Sequence, residues 1–210
     1  GFPGGCGPLC RATGHLMKLI VLPSYNEREN IVSLLDSLLA LYPDDRVCIV
    51  DDSSPDGTAD LLRQALLDSP ARRDRTHLIV RGKKDGRGGA VRDGFSWGLS
   101  SGLPFDAFVE MDCDFSHRPE AVAEGFALLA AGHDVVIGAR YPDGTILGWP
   151  LQRRVFSFAA NQLARALIDH SIADYTNGFR FYSKRAAMLL VQKPQRHKGY
   201  IYLSESLSYL

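Results

Sequence analysis

Short apolar runs alternate with amphipathic stretches along most of the chain. Apolar runs predict strands at 19–22, where Pro23 stops the run, and at 47–50, 77–80, 105–111 and 134–139. Apolar residues at helical spacing predict helices at 29–41, 58–67, 88–99 and 118–131. Short strands that are apolar on both sides and separated by helices are typical of parallel sheets, whose neighbouring strands need crossover connections. The pattern therefore predicts an α/β, doubly wound domain with a Rossmann-like, mostly parallel sheet and helices on both faces.

The two ends of the chain differ from this regular region. Residues 1–16 show neither an apolar period nor the apolar core of a signal peptide, so we expect a disordered extension there. Met17 directly precedes the first predicted strand and is a candidate natural start. The length of 210 residues suits a single domain, which we assign to 17–210. Past Tyr141 the regular alternation ends, and a further helix is predicted at 154–168. The last residues include no capping glycine and no charged last turn, so we expect an incomplete C-terminus.

Composition narrows the classes of function. Lys and Arg number 24 and so do Asp and Glu, which removes the global positive field that non-specific nucleic-acid binding needs. Four cysteines are too few and too scattered for a disulfide framework and indicate a reducing compartment. No pair of the six histidines is three or four residues apart, which disfavours a zinc site. No apolar run approaches the roughly 18 residues of a membrane-spanning helix.

Acidic residues follow two of the predicted strands, where ligands bind in open parallel sheets. Asp51 and Asp52 follow the second strand, and Asp112 and Asp114 follow the fourth. Asp-Gly-Thr at 56–58 also reads as a plain turn and helix cap. Residues two apart on an extended strand have Cα atoms roughly 6.6 Å apart, which is too far for joint chelation by Asp112 and Asp114 without a bend. Magnesium accepts one or two carboxylates and completes its shell with water and phosphate oxygens, so a phosphate-bearing substrate is implied.

Two familiar signatures fail. The Gly-Arg-Gly at 86–88 begins like a dinucleotide-binding loop, but Val91 stands where that loop needs glycine. Residues 94–98 match the Gly-x-Ser-x-Gly nucleophile elbow, yet the charged, glycine-rich stretch before them is not a strand. A hydrolase is therefore disfavoured.

Taken together, five segments resemble the polyprenyl-phosphate mannosyltransferases of glycosyltransferase family 2, the dolichyl-phosphate mannose synthase type. The segments are 22–30 (LPSYNEREN), 51–58 (DDSSPDGT), 112–117 (DCDFSH), 138–141 (GARY) and 174–180 (DYTNGFR). The resemblance extends over about 17–205. It implies a glycosyltransferase A-type fold, magnesium or manganese as cofactor, and transfer of mannose from GDP-mannose to a polyprenyl phosphate with inversion at the anomeric carbon.

The resemblance also implies roles for individual residues. The donor would be bound by Pro23, Tyr25, Glu27, Asp51, Asp52, Lys84, Gly86 and Gly88. The metal would be held by Asp112, Asp114 and Ser116, and the catalytic residues would be Asp112, Asp114 and Arg140. The acceptor phosphate would be bound by Arg140, Arg153 and Ser157. Read without the resemblance, Tyr25 and Glu27 begin a helix, and Arg153 belongs to a solvated helix face.

Partners and location follow from the same resemblance. A lipid acceptor implies peripheral membrane contact on the cytoplasmic side, at the plasma membrane of a prokaryote or the endoplasmic reticulum of a eukaryote. Two alternatives stay open. Prenyl-phosphate glucosyltransferases that use UDP-glucose share much of the pattern. The family's basic closing loop would lie past Leu210, so a non-catalytic nucleotide-sugar-binding fragment is the other alternative.

Overall fold

The computed structural model describes residues 17–139, 174, 177–194 and 201–207. The strands are β1 (Met17–Ser24), β2 (Arg46–Asp51), β3 (Thr76–Val80), β4 (Phe105–Glu110), β5 (Val135–Ile137) and β6 (Arg180–Ser183). The α-helices are α1 (Ile31–Leu41), α2 (Thr58–Asp68), α3 (Pro70–Arg75), α4 (Arg87–Ser100), α5 (Val122–Ala130), α6 (Lys184–Gln192) and α7 (Ile201–Leu207). A 3₁₀ turn at Pro119–Ala121 leads into α5.

These strands form one sheet in the order β3-β2-β1-β4-β6-β5. Strand β1 pairs in parallel with β2 on one side and with β4 on the other, and β2 pairs in parallel with β3. Strand β6 runs antiparallel to both β4 and β5, so β5 points the same way as β1. The predicted mostly parallel α/β sheet is confirmed.

Alternating residues of β1 enter two different cores. Ile20 and Leu22 pack with α1, α2 and α5 on one face of the sheet. Leu19 and Val21 pack with α4, α6 and α7 on the other face. All four side chains are fully buried, which explains why β1 reads as a continuous apolar run instead of an alternating one.

Several predicted boundaries need correction. Strand β1 does not stop at Pro23, because that position pairs with Val50 and the strand continues to Ser24. The fifth strand is shorter than predicted. Helix α3 was not predicted because its sequence, Pro-Ala-Arg-Arg-Asp-Arg, carries no apolar face, and its side chains include none that is buried. Strand β6 was not predicted either, since its partners β4 and β5 precede it by a long stretch of chain.

Some expectations lie outside the described residues. They are the disordered extension at 1–16, the helix at 154–168 and the incomplete C-terminus. Within the described ranges, no helix combines the length and the apolar character needed to cross a membrane.

Helix α4 lies close against the sheet because glycines face it. A Cβ atom at Gly94 would lie 2.6 Å from Val21 Cγ1 and 3.3 Å from Val50 Cγ2. Gly98 faces Leu19 and Phe108 in the same way. Valine side chains on strands have little rotamer freedom and cannot yield this space. The two glycines therefore let the middle and the last turns of α4 lie close to β1 and its neighbouring strands.

We predict that Gly94→Ala destabilises the protein. Alanine is the better helix former by about 1 kcal/mol, but overpacking against Val21 costs about 1–3 kcal/mol. Urea unfolding measures the difference, with Ser100→Ala as the control because Ser100 is exposed on the same helix. An unchanged or increased free energy of unfolding for Gly94→Ala would show that α4 can move away from β1.

Candidate active site

Each of three loops at the carboxyl edge of the sheet contains one non-glycine residue with left-handed backbone. Asn26 follows β1, Ser53 follows β2 and Phe115 follows β4, and their φ angles are 60°, 60° and 59°. Left-handed backbone is uncommon for residues other than glycine, and such residues cluster at functional sites. Because β1 lies between β2 and β4, these three loops are neighbours in space.

The loops after β1 and β2 are joined by hydrogen bonds. Three backbone amides of the first loop donate to side chains beyond β2: Asn26 N to Ser54 Oγ (2.9 Å), Glu27 N to Thr58 Oγ1 (3.2 Å) and Arg28 N to Asp56 Oδ2 (3.3 Å). The fully buried Asp51 in turn accepts bonds from the backbone N–H and the hydroxyl of Ser54, at 3.0 and 2.5 Å. Tyr25 and Glu27 are thus held on a fixed backbone, although the first loop has no regular structure.

Asp52 fixes the loop between β3 and α4. Its carboxylate accepts hydrogen bonds from the backbone N–H groups of Asp85 (3.0 Å) and Gly86 (2.7 Å) and from the guanidinium of Arg81 (2.7 Å). Arg81 also pairs with Asp93 at 2.9 Å. Gly86, with a φ of 88°, adopts the backbone conformation that glycine favours and immediately precedes α4. The loop is therefore anchored to the end of β2 by one buried carboxylate.

The same loop reaches the residues after β1. The Lys84 ammonium lies 3.4 Å from the centroid of the Tyr25 ring, a cation–π contact. Tyr25 remains 37% exposed, so part of this aromatic surface is open to a ligand. Gly88 is buried in the first turn of α4. A flat ring, a cation and a helix N-terminus together suit a base and its phosphates.

The acidic pair after β4 does not lie on a strand. Strand β4 ends at Glu110, and the chain bends through 113–117, so the expected strand spacing of Asp112 and Asp114 is wrong. The bend supplies the change of direction that joint chelation needs. Burial favours the protonated form of Asp114, but hydrogen bonds from Ser116 outweigh it and lower the pKa of this carboxyl.

Glu27 faces these carboxylates from the loop after β1. Burial raises the pKa of Glu27, and the charges of Asp114 and Asp112 raise it further. The Cys113 thiol, between the two aspartates, contacts the carbonyl oxygen of Pro23 at 3.4 Å. The loops after β1 and β4 therefore form one acidic cluster.

Arg87, the first residue of α4, supplies a positive charge to this cluster. Its guanidinium lies 3.0 Å from Asp112 Oδ1 and 2.9 Å from Glu110 Oε2. It also donates to the carbonyl oxygen of Gly178 at 2.7 Å. Burial disfavours the charged form, but Asp112 and Glu110 outweigh it and raise the pKa of Arg87. Arg87 stays protonated at every physiological pH.

His117 links the acidic loop to the segment before β6. The Asp112 backbone N–H donates to His117 Nδ1 at 3.2 Å, and Nε2 lies 3.1 Å from Asn177 Oδ1. Burial lowers the pKa of His117 and favours the neutral ring, in which Nε2 carries the proton and donates to Asn177. The ring stacks on Phe179 with a centroid distance of 4.9 Å. His117 is therefore held in one orientation and helps to fix the Asp112 backbone.

The residues present fit a magnesium or manganese ion in part. In the part of the chain that the structure describes, no group of three or more His, Cys, Asp and Glu side chains is arranged to hold a metal. Asp112 and Asp114 offer carboxylate oxygens, the ligand type that hard divalent ions prefer. Two carboxylates suffice for an ion that takes its other ligands from water and substrate phosphates. Ser116 contacts Asp114 and belongs to the same bend.

Most of the predicted site residues meet at this edge of the sheet. They are Pro23, Tyr25, Glu27, Asp51, Asp52, Lys84, Gly86, Gly88, Asp112, Asp114 and Ser116. The predicted Arg140, Arg153 and Ser157 lie outside the described residues. Sequence reasoning missed Arg81, Arg87, His117 and Asn177 as parts of the site. Arg81 directly follows β3 and Arg87 begins α4, so the rule of examining strand ends could have found the first of these.

The architecture and the acidic site define the class of protein. The fold is that of the glycosyltransferase A-type enzymes, and solved chains support this. Glucosyl-3-phosphoglycerate synthase from Mycobacterium tuberculosis, solved with Mn²⁺, UDP and glucosyl-3-phosphoglycerate, superposes with a TM-score of 0.66 at 20% identity. Mannosyl-3-phosphoglycerate synthase from Rubrobacter xylanophilus gives 0.57 at 18% identity. The first superposition covers 93% of this chain and 64% of the synthase, and the second covers 81% of this chain and 55% of the other synthase.

The chain belongs to glycosyl transferase family 2, whose family model matches residues 19–190. It is 38% identical over 185 residues to polyprenol monophosphomannose synthase of Mycolicibacterium smegmatis, covering 88% of this chain and 68% of that one. It is 36% identical over 183 residues to undecaprenyl-phosphate mannosyltransferase of Micrococcus luteus, covering 87% and 72%. The expected resemblance to polyprenyl-phosphate mannosyltransferases of this family is confirmed.

We predict that Asp52→Ala loosens the loop before α4. The change removes the acceptor of two backbone N–H groups and of one Arg81 ion pair, and a hydrogen bond to a charged group contributes about 1.5–3 kcal/mol. Urea unfolding should show a loss of this size, and trypsin should cleave after Arg81, Lys83 or Lys84 faster than in the parent protein.

The matched control is Asp60→Ala on α2. Asp60 pairs with Arg63 in an exposed contact, and exposed ion pairs contribute only about 0–1 kcal/mol. Equal stability losses in the two variants would contradict the anchoring role of Asp52.

Proposed function

We propose that this protein transfers mannose from GDP-mannose to the phosphate of a polyprenol, with a divalent metal ion and with inversion at the anomeric carbon. One observation carries the proposal: the acidic pair Asp112 and Asp114 lies near Glu27, in the loop after β1 that also carries Tyr25, at the carboxyl edge of the sheet. The two relatives at 38% and 36% identity, both named for mannosyl transfer to a polyprenyl carrier, support the choice of sugar and acceptor.

The donor's nucleoside binds at the loops after β1 and β2. The open face of Tyr25 stacks against the base, and Glu27 provides an acceptor for the hydrogen-bond donors of the base. The fully buried Asp51 supports this part of the site indirectly, through its hydrogen bonds with Ser54. The loop that Asp52 anchors brings Lys84 and the beginning of α4 near the diphosphate. Gly86 and Gly88 leave room for the donor to approach this backbone.

The diphosphate lies at the acidic pair. Asp112 and Asp114, with Ser116 in the same bend, hold magnesium or manganese, which when bound neutralises charge on the departing diphosphate. The Mn²⁺ present in the solved glucosyl-3-phosphoglycerate synthase supports this cofactor class. The charge of Glu27, which interacts electrostatically with Asp114 and Asp112, adds to the attraction of a cation to the acidic pair.

The acceptor phosphate attacks the anomeric carbon directly. A phosphate monoester is already anionic near neutral pH, with a second pKa of about 6, so no base is needed to remove a proton. A phosphate oxygen forms the new bond to the anomeric carbon while the bond to the diphosphate breaks, and the departing nucleoside diphosphate keeps the electron pair. Attack from the opposite face inverts the configuration. Arg140, Arg153 and Ser157 bind the acceptor phosphate in this proposal.

The acceptor also determines where the protein acts. A polyprenyl phosphate resides in a membrane, so the reaction takes place at the cytoplasmic membrane surface with peripheral contact between protein and lipid. The balance of charges makes nucleic acid an unsuitable partner.

We predict that Asp114→Asn lowers mannosyl transfer at least about 100-fold, because several kcal/mol of transition-state stabilisation depend on the bound metal. The amide oxygen can still accept the Ser116 N–H bond, so the fold should persist. Steady-state rates at several Mn²⁺ concentrations, with circular dichroism, measure both effects, and Asp60→Asn is the control. Near-normal, metal-dependent turnover by Asp114→Asn would contradict the metal assignment.

A donor and acceptor panel tests the reaction itself. We expect mannose transfer from GDP-mannose to a short prenyl phosphate in the presence of Mg²⁺ or Mn²⁺, and no transfer to the corresponding free prenol. Radiolabelled sugar in the lipid extract gives the readout. Preferred use of UDP-glucose would indicate a prenyl-phosphate glucosyltransferase, and donor binding without any transfer would indicate a non-catalytic protein.

A further inference from the structure

The position of Arg87 links the metal-binding pair to the core. We infer that Arg87 is a positioning residue that holds Asp112 and weakens its affinity for a free divalent cation, so that the metal binds well only together with a nucleoside diphosphate. This inference rests on the proposed function, because it concerns the same metal site. It assigns to one residue of α4 the coupling between metal binding and nucleotide binding.

One guanidinium group bridges three elements. One terminal nitrogen of Arg87 lies 2.9 Å from Glu110 Oε2. The other lies 3.0 Å from Asp112 Oδ1 and 2.7 Å from the carbonyl oxygen of Gly178. The side chain of Glu110 is fully buried, that of Arg87 is 13% exposed and that of Asp112 is 41% exposed. The bridge thus runs from the core to the solvent-facing end of the site.

The buried end of the bridge is held firmly. Glu110 accepts a hydrogen bond from the Tyr182 hydroxyl at 2.7 Å and lies opposite Arg180 in the β4–β6 pairing. If Arg87 moved away, a fully buried carboxylate would lose a cationic partner, which is strongly unfavourable. The guanidinium therefore stays beside Asp112 when a ligand arrives, and Asp112 Oδ1 keeps a positive neighbour.

A permanent positive neighbour changes what Asp112 can bind. Arg87 shares its one positive charge between Glu110 and Asp112, and a divalent ion on the Asp112 carboxylate would repel the guanidinium. A nucleoside diphosphate reverses the sign, because its unesterified terminal phosphate leaves the complex with one divalent ion negatively charged, and Arg87 attracts this complex. The nucleotide sugar, whose terminal phosphate is esterified, forms a complex of about zero net charge, which Arg87 does not repel. Removal of Arg87 should therefore strengthen binding of the free ion and should not strengthen binding of the ion–nucleotide complex.

The different effects of removing Arg87 on binding of the free ion and of the ion–nucleotide complex distinguish a tuning role from a purely structural one. If Arg87 only supported the fold, its loss would disorder the Asp112 loop and weaken both kinds of binding. Replacing Arg87 alone would take a cationic partner away from the fully buried Glu110, so the main variant carries two changes, Arg87→Met and Glu110→Gln. The amide at position 110 can still accept the Tyr182 hydroxyl bond.

Mn²⁺ binding to the full chain without nucleotide, followed by electron paramagnetic resonance, is the first measurement. We expect the double variant to bind Mn²⁺ about tenfold more tightly than the parent protein, because the repulsive guanidinium beside Asp112 is gone, whereas the Glu110 charge removed with it is buried behind that guanidinium and lies farther from the ion. The second measurement is binding of preformed Mn²⁺–GDP by calorimetry, which should be equal or weaker. Unchanged or weaker Mn²⁺ binding by the folded double variant would overturn the inference.

A control and a second variant complete the design. Arg92→Met removes another α4 arginine, which donates to the carbonyl oxygens of Val191 and Lys193 away from the acidic pair, and should leave Mn²⁺ affinity unchanged. If the double variant does not fold, Arg87→Lys decides the question. Its ammonium keeps a charge for Glu110 but cannot bridge both carboxylates in the manner of a planar guanidinium, so Mn²⁺ should again bind more tightly. Weaker or equal binding in Arg87→Lys would reject the role.

The metal titration contains neither sugar nor lipid. Failure of mannosyl transfer by the parent protein would therefore reject the proposed function without changing this result. Conversely, an unchanged Mn²⁺ affinity in the variants of Arg87 would reject the inference while transfer activity stands.

Discussion

Burial of β1 on both faces is the constraint on which the rest of the structure depends. Its four apolar residues are shared between two cores, and the strand pairs in parallel with β2 and β4 at once. Parallel pairing brings the carboxyl ends of all three strands to one edge, so the loops that follow must meet there. Three residues with left-handed backbone and a set of hydrogen bonds between the loops hold these loops in contact with one another. The site is therefore a consequence of how the central strand is covered.

Charge at this edge is organised in layers. Asp51 and Asp52 are buried, and hydrogen bonds within the protein occupy their carboxylates, so they shape the loops that carry Tyr25 and Lys84. Asp112 and Asp114 are more exposed and remain within reach of solvent and ligand. Between the layers, Arg81 and Arg87 each join a buried carboxylate to a more exposed one. Two acidic pairs that look alike in the sequence thus have different roles.

The parts of this arrangement that follow from local patterns could be predicted from the sequence. The first four strands and the helices between them have clear periods, and the two acidic pairs lie at the ends of the second and fourth strands as the sequence predicts. Strand β6 could not be predicted, because the short sequence Arg-Phe-Tyr-Ser has no clear period of its own and forms a strand by pairing with β4 and β5. Arg87 ends the basic, glycine-containing stretch 81–87, in which the resemblance assigns Lys84 and Gly86 to the donor and gives Arg87 no role of its own. Its role depends on Glu110 and Asp112, which lie far from it in the chain.

The antiparallel strand β6 has a consequence for the order in which the protein folds. Among the strands that the structure describes, β5 pairs only with β6, which lies between it and β4. The sheet of β1 to β4 can form as soon as these strands leave the ribosome, whereas β5 must wait until all of 138–179 and then β6 have been synthesised. Pairings between distant parts of a chain form slowly because the intervening loop must first close. Asn177, Gly178 and Phe179 precede β6 directly, so His117 and Arg87 gain these partners in the same late step, and the acidic site matures after the main sheet.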